Sequence, residues 1–92
     1  MNNKPIELEI NGTLDLHHFK PSEVKELVHE YLLACLEKEI MTGRIIHGKG
    51  KGTLREIVHS ILKKHPHVSS FSLGSHNSGS WGSTTFFLQK QK

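Results

Sequence analysis

Ile6-Glu7-Leu8-Glu9-Ile10 alternates apolar and polar positions, and Leu14-Asp15-Leu16-His17 does so again after Asn11-Gly12. A period of two marks half-buried strands, so two short extended segments joined by a turn are expected to open the chain. The period then lengthens: Val24, Leu27, Val28, Tyr31, Leu32 and Cys35 follow one another at steps of three and four. That spacing predicts an amphipathic helix of roughly four to five turns, with Pro21 at its first position and Gly43 as its stop. Arg44-Ile45-Ile46-His47, rich in β-branched residues between Gly43 and Gly48, reads as a second strand. Thr53-Leu54-Arg55-Glu56 has the spacing of a capping box, which predicts a second helix starting at Thr53. Leu54, Ile57, Val58, Ile61 and Leu62 form its apolar stripe, and Pro66 ends it. Val68 to Leu73 and Ser83 to Leu88 read as two further strands, around a Gly/Ser/Asn-rich connection from Gly74 to Gly82.

This order implies an α/β fold: one compact βαβαββ two-layer sandwich, with a mixed four-stranded sheet and both helices packed on one face by right-handed crossovers. The other face of the sheet is then at least partly open. At 92 residues and 35% hydrophobic content the chain suits one modest core and no second folded unit. The longest purely apolar run, Tyr31 to Leu36, is far too short to span a bilayer, and no cationic, apolar leader opens the sequence. Cys35 is the single cysteine, which excludes an internal disulfide framework and cysteine-pair zinc sites. A cytoplasmic protein with no membrane partner is expected.

Charge changes the picture. The total is only +3, but residues 44–67 carry Arg44, Lys49, Lys51, Arg55, Lys63 and Lys64 against Glu56, a net +5 that leaves −2 for the remainder. A basic segment on an otherwise slightly acidic domain suits a polyanion, because phosphate contacts supply most non-specific nucleic-acid affinity. Within it, His47-Gly48-Lys49-Gly50-Lys51-Gly52 sets three glycines at alternate positions, followed by a helix N-terminus. Glycines admit close backbone approach and helical N–H groups favour anions, so the loop can cradle a phosphate. It is neither a Walker A loop nor a dinucleotide-binding G-x-G-x-x-G turn. In open α/β sheets ligands gather beyond the carboxyl ends of parallel strands, where this order places both the loop and His17-His18. Asp15 and His17, two apart on a strand, share a face, and a carboxylate beside an imidazole suits proton transfer near neutral pH. An Asp at a strand end can equally serve only as an acceptor for backbone N–H groups. Despite eight histidines, no zinc motif is present and no metal site is assigned; His65 and His67, either side of Pro66, are expected to face solvent. Trp81 could stack on a base or cover one end of the sheet.

Leu14-Asp15-Leu16-His17, Ile46-His47-Gly48-Lys49-Gly50-Lys51-Gly52-Thr53-Leu54-Arg55 and Gly79-Ser80-Trp81-Gly82-Ser83-Thr84 occur in this order and approximate spacing in the Smr (small MutS-related) domain. The chain resembles a stand-alone Smr domain over residues 13–89, with residues 1–12 as an arm or short extra strand and 90–92 as a tail. The resemblance implies a compact βαβαββ domain, similar to the C-terminal domain of a bacterial translation initiation factor, that binds DNA or RNA. It also implies endonuclease activity, DNA nicking or RNA cleavage, since many members are phosphodiester hydrolases. By that resemblance Asp15 and His17 are catalytic, and His47, Gly48, Lys49, Gly50, Lys51 and Gly52 form the nucleic-acid-binding loop; His18, at the same sheet end, and Thr53 and Arg55, at the start of the second helix, are expected from their positions to bind nucleic acid with it. No tightly bound cofactor is implied; a divalent cation, Mg²⁺ or Mn²⁺, would arrive with the substrate. Two departures bear on backbone turns: His18 and Ser80 stand where the family usually has glycine. The competing readings are a non-catalytic DNA- or RNA-binding module, with Asp15 and His17 structural, and a protein-interaction domain using the open sheet face, which the +5 segment argues against.

Overall fold

The computed structural model describes residues 10–48, 52–74 and 82–90. Along the chain run β1 (Thr13–Asp15), α1 (Pro21–Glu37), β2 (Thr42–Ile46), α2 (Thr53–Lys64), β3 (Val68–Leu73) and β4 (Ser83–Leu88). The sheet order is β1-β2-β4-β3, with β1 parallel to β2 and β4 antiparallel to both of its neighbours. β2 and β3 therefore point the same way with β4 between them, so each helix bridges two parallel strands. Both crossovers advance across the sheet in one direction, which under the right-handed rule puts the helices on the same side. Packing agrees. Leu14, Leu16, Ile45, Phe86 and Leu88 from the sheet join Val24, Val28, Tyr31, Leu32 and Cys35 of α1 and Val58 and Leu62 of α2 in one buried cluster.

α2, β3 and β4 match the predicted elements, and α1 begins as expected with Pro21 as its first residue. Its start is closed by Glu23, whose Oε1 accepts the Lys20 N–H at 2.8 Å while its own N–H donates to the Lys20 carbonyl. Three local features correct the sequence reading. Gly43 does not stop α1. The helix ends six residues earlier in a Schellman motif: the Ile40 N–H donates to Cys35 O at 2.8 Å and the Glu39 N–H to Leu36 O at 3.0 Å. Glu39 takes the left-handed conformation, φ 61°, usually given to glycine. Gly43 lies instead inside β2, opposite Phe86.

The second correction concerns the predicted capping box at Thr53. Gly52, with φ 85°, is the capping residue and has no side chain to offer. Thr53 is already helical, and Glu56 N donates to the Gly52 carbonyl at 2.9 Å. The third is His65, which packs between His29 and His67 and is buried rather than solvent-facing. Of the first expected strand, residues 6–9 lie outside the described residues. Ile10 packs against the core.

Candidate functional site

β1 and β2 end side by side. The Leu16 N–H donates to Ile46 O at 2.9 Å, one step beyond the last paired residues, Asp15 and Ile46. Leu14 and Ile45 are paired and buried against the helices, so alternation turns Asp15 and Ile46 to the outer face and keeps His47 on the helix side. The structure thus brings Asp15 and His47 to one end of the sheet but divides them between its two faces.

On the outer side, the Asp15 carboxylate accepts the His17 backbone N–H at 2.9 Å, closing an Asx turn that reverses the chain after β1. The His17 Nδ1 lies 3.9 Å from the same oxygen, an electrostatic distance rather than a hydrogen bond. The His17 side chain is 68% exposed and that of Asp15 54%, and the His17 ring stacks on His18 with centroids 4.9 Å apart. This gives an accessible carboxylate and imidazole held by a short backbone turn.

On the helix side lies a buried polar cluster. Fully buried Thr84, at the start of β4, sits between two imidazoles: His47 Nε2 is 2.8 Å from its hydroxyl oxygen and His59 Nε2 2.7 Å. The other His47 nitrogen, Nδ1, is 3.1 Å from the carbonyl of Gly48. Gly82 O anchors the same corner by accepting both His47 and Gly48 N–H groups, at 2.8 and 2.9 Å. Burial, the larger cause, and the Arg55 cation both push the His47 pKa below the usual range for histidine, against the pull of the Gly48 carbonyl. His59 is lowered first by burial and then by the charges of His47 and Arg55.

Both glycines that flank the undescribed part of the loop have positive φ, 89° at Gly48 and 85° at Gly52. A methyl on Gly48 would meet open space, so only its backbone conformation asks for glycine. A methyl on Gly52 would lie 2.8 Å from the Arg55 guanidinium, which folds back over the start of α2. The N–H groups of Thr53, Leu54 and Arg55 precede the first intrahelical bond and have no acceptor within the helix. Lys49, Gly50, Lys51, Gly79, Ser80 and Trp81 lie outside the described residues. Among the described residues no group of three or more His, Cys, Asp or Glu side chains is arranged to hold a metal ion.

His59 escaped the sequence reading, and Thr84 entered it only within a strand and as the last residue of the third motif, with no role at the site. The available signal was weak: His59 falls one turn after Arg55 on α2, and so on the flank that faces the loop. Nothing local joins it to Thr84, 25 positions away.

A family model described as Smr domain matches residues 14–89. The Endonuclease MutS2 of Halothermothrix orenii is 36% identical over 75 residues, which is 82% of this chain but 10% of that protein. The Endonuclease MutS2 of Halalkalibacterium halodurans is 41% identical over 97 residues, covering 94% of this chain and 12% of the relative. The chain therefore spans about a tenth of the length of these curated relatives. Among solved structures, the Smr domain of Thermus thermophilus MutS2 superposes with a TM-score of 0.81 at 28% identity, over 86% of this chain and 99% of that one. YdaL, a stand-alone small MutS-related protein from Escherichia coli, shares the fold, with a TM-score of 0.80 at 22% identity over 86% of this chain and 65% of that chain.

Proposed function

This chain belongs to the Smr domain family, and from that premise we propose that it binds the phosphates of DNA or RNA at the β2–α2 junction and cleaves the phosphodiester chain as an endonuclease. One observation carries the reading: the carboxyl ends of parallel β1 and β2 and the N-terminus of α2 meet at one end of the sheet. An anion is favoured there by helical N–H groups that have no acceptor within the helix and by the net +5 of residues 44–67. The relatives that carry the same domain are named endonucleases.

In this mechanism His17 moves the proton. Its exposed ring takes a proton from the attacking oxygen, a water or an RNA 2′-hydroxyl, or returns one to the leaving oxygen. Asp15 holds the turn that presents His17 and places negative charge near the ring. Lys49, Lys51, Arg55 and the α2 N-terminus supply ground-state affinity, and Mg²⁺ or Mn²⁺ accompanies the substrate phosphates. No helix among the described residues is long and apolar enough to cross a membrane, and the proposed place of action is the cytoplasm.

The test is cleavage and binding side by side, on duplex DNA, single strands and structured RNA, with and without Mg²⁺ or Mn²⁺. Asp15→Asn and His17→Ala should each slow cleavage at least about a hundredfold, the low end for general acid–base catalysis, and leave binding and melting near wild type. Lys49→Ala with Lys51→Ala should weaken binding and lower the log–log salt slope by about one unit for each phosphate that a lysine no longer neutralises. Wild-type cleavage by folded Asp15→Asn and His17→Ala removes the catalytic assignment. That outcome points to a site around His47 or to a contaminating nuclease, whereas no cleavage by the wild-type chain under any of these conditions leaves the non-catalytic binding module, a reading favoured by the Asp15 carboxylate already serving as acceptor in the Asx turn.

A further inference from the structure

We propose that Thr84 and His59 are positioning residues of this site: a one-way hydrogen-bond chain from His59 through Thr84 fixes the His47 ring in its Nδ1–H tautomer and, through it, the carbonyl of Gly48 where the backbone enters the glycine–lysine loop. What that loop binds rests on the function proposed above; the chain itself rests on donor and acceptor accounting.

The direction follows from one end. A backbone carbonyl only accepts, so the His47 Nδ1, 3.1 Å from Gly48 O, must carry a hydrogen. In the neutral ring Nε2 then holds a lone pair, and the Thr84 hydroxyl, 2.8 Å away, must donate to it. A hydroxyl has one hydrogen, so toward His59 the Thr84 oxygen can only accept. His59 Nε2, at 2.7 Å, must therefore be protonated. This direction belongs to a neutral His47; a cationic His47 would donate to Thr84, whose hydroxyl could then turn to His59. Burial and the neighbouring Arg55 charge disfavour both cations. Every polar atom on the path from His59 Nε2 to the Gly48 carbonyl then has a role, and a satisfied hydrogen-bond path holds its members in a single arrangement.

The geometry anchors the chain at both ends. His59 is packed against the Phe71 ring, with centroids 5.0 Å apart, so its position is set by α2 and β3 together. Thr84 faces inward from β4 beside Ile45 of β2, its cross-strand partner. Gly48 is exposed, has φ 89°, and has nothing near its α-carbon on the side where a methyl would project. The His47 ring grips its carbonyl, and Gly82 O holds its N–H. Both halves of the first glycine of the loop are tied to the sheet.

The experiment is nitrogen-15 NMR of the histidine rings in the whole chain at a pH where both are neutral, with Thr84→Val and Thr84→Ser compared with wild type. Val keeps the shape of Thr without the hydroxyl; Ser keeps the hydroxyl. In wild type, His47 should show the Nδ1–H tautomer, which a free imidazole disfavours, and His59 the Nε2–H tautomer. In Thr84→Val the Gly48 amide signal should move, and affinity for nucleic acid should fall by about two- to tenfold, the worth of one net hydrogen bond. Its salt slope should stay unchanged, because no cation is removed. Thr84→Ser should restore the amide position and the affinity. An Nε2–H tautomer at His47, or a Gly48 amide unmoved in Thr84→Val, overturns the proposal, and the wild-type tautomers decide it even if the Val variant does not fold. A wild-type chain that binds no nucleic acid would instead overturn the function proposed above, while the tautomers and the amide signal still judged the hydrogen-bond chain.

Discussion

At Gly43 one methyl group would decide the fit of three strands. A β-carbon there would lie 2.5 Å from the Gly12 carbonyl oxygen of the segment leading into β1 and 2.5 Å from the Phe86 ring of β4. Neither neighbour can yield cheaply: Gly12 O accepts the Arg44 N–H at 2.7 Å, and Phe86 is wholly buried in the core. Gly43→Ala should therefore destabilise the domain by roughly 1–3 kcal/mol, the usual cost of overpacking. A urea midpoint equal to wild type would contradict this account. The glycine is visible in the sequence, yet its neighbours come from 31 positions upstream and 43 downstream. From local pattern alone it reads as the end of the preceding helix, because a glycine just beyond an amphipathic run is ordinarily a C-cap.

Elements here are set by their ends as much as by their stripes. The turn that closes α1, two residues past Glu37, holds Glu39, a residue with a β-carbon, in the left-handed region, and its side chain pairs with Lys90 at 2.8 Å on the exposed surface. That pair, solvated on both sides, offsets little of the backbone cost. Glu39→Gly should accordingly stabilise the domain by about 0.5–1 kcal/mol, by relieving the left-handed strain. Chemical denaturation checks the sign, and a loss of stability would show that the Lys90 pairing outweighs the strain. At α2, Thr53 and Glu56 have the residue types and spacing of a capping box, but the chain arrives through Gly52 in a left-handed turn and makes Thr53 the first helical residue. Capping depends on the φ of the entering residue, and sequence spacing does not report it.

Across the whole molecule, the buried histidines give stability a direction in pH. Burial is the first cause that lowers the pKa values of His47, His59 and His65 from 6.5. His65 is the extreme case: its Nδ1 accepts the His67 N–H at 3.2 Å, which leaves the proton on Nε2, a buried atom without a partner among the described residues. The unfolded chain takes up protons at the ordinary pKa while the folded chain resists. Stability should therefore hold above pH 6.5, fall as pH drops through that value, and level off below the lowered folded pKa values. Thermal melts between about pH 8 and about pH 5.5 should show a falling Tm, with a shallower fall in His65→Phe. A Tm independent of pH over that span would mean that these rings ionise as freely in the fold as outside it.

Periodicity alone determined most of the architecture. The 3.6-residue stripes of α1 and α2, the apolar alternation of β1 and the β-branched and aromatic runs of β3 and β4 are properties of consecutive residues, so local order and core membership could be read directly. The same holds for the charge concentrated between residues 44 and 67 and for the glycines that alternate with lysines. What depended on two distant segments meeting could not be read in this way. The clash that reserves position 43 for glycine and the division of Asp15 and His47 between opposite faces of one sheet end appear only once β1, β2 and β4 are in register, and the burial of His65 beside His29 only once α1 meets the end of α2. The placing of Thr84 between two imidazoles needs α2 docked as well. A stripe is written in neighbours along the chain. A hydrogen bond between residues 25 or 37 positions apart exists only after packing has excluded water and set donor against acceptor.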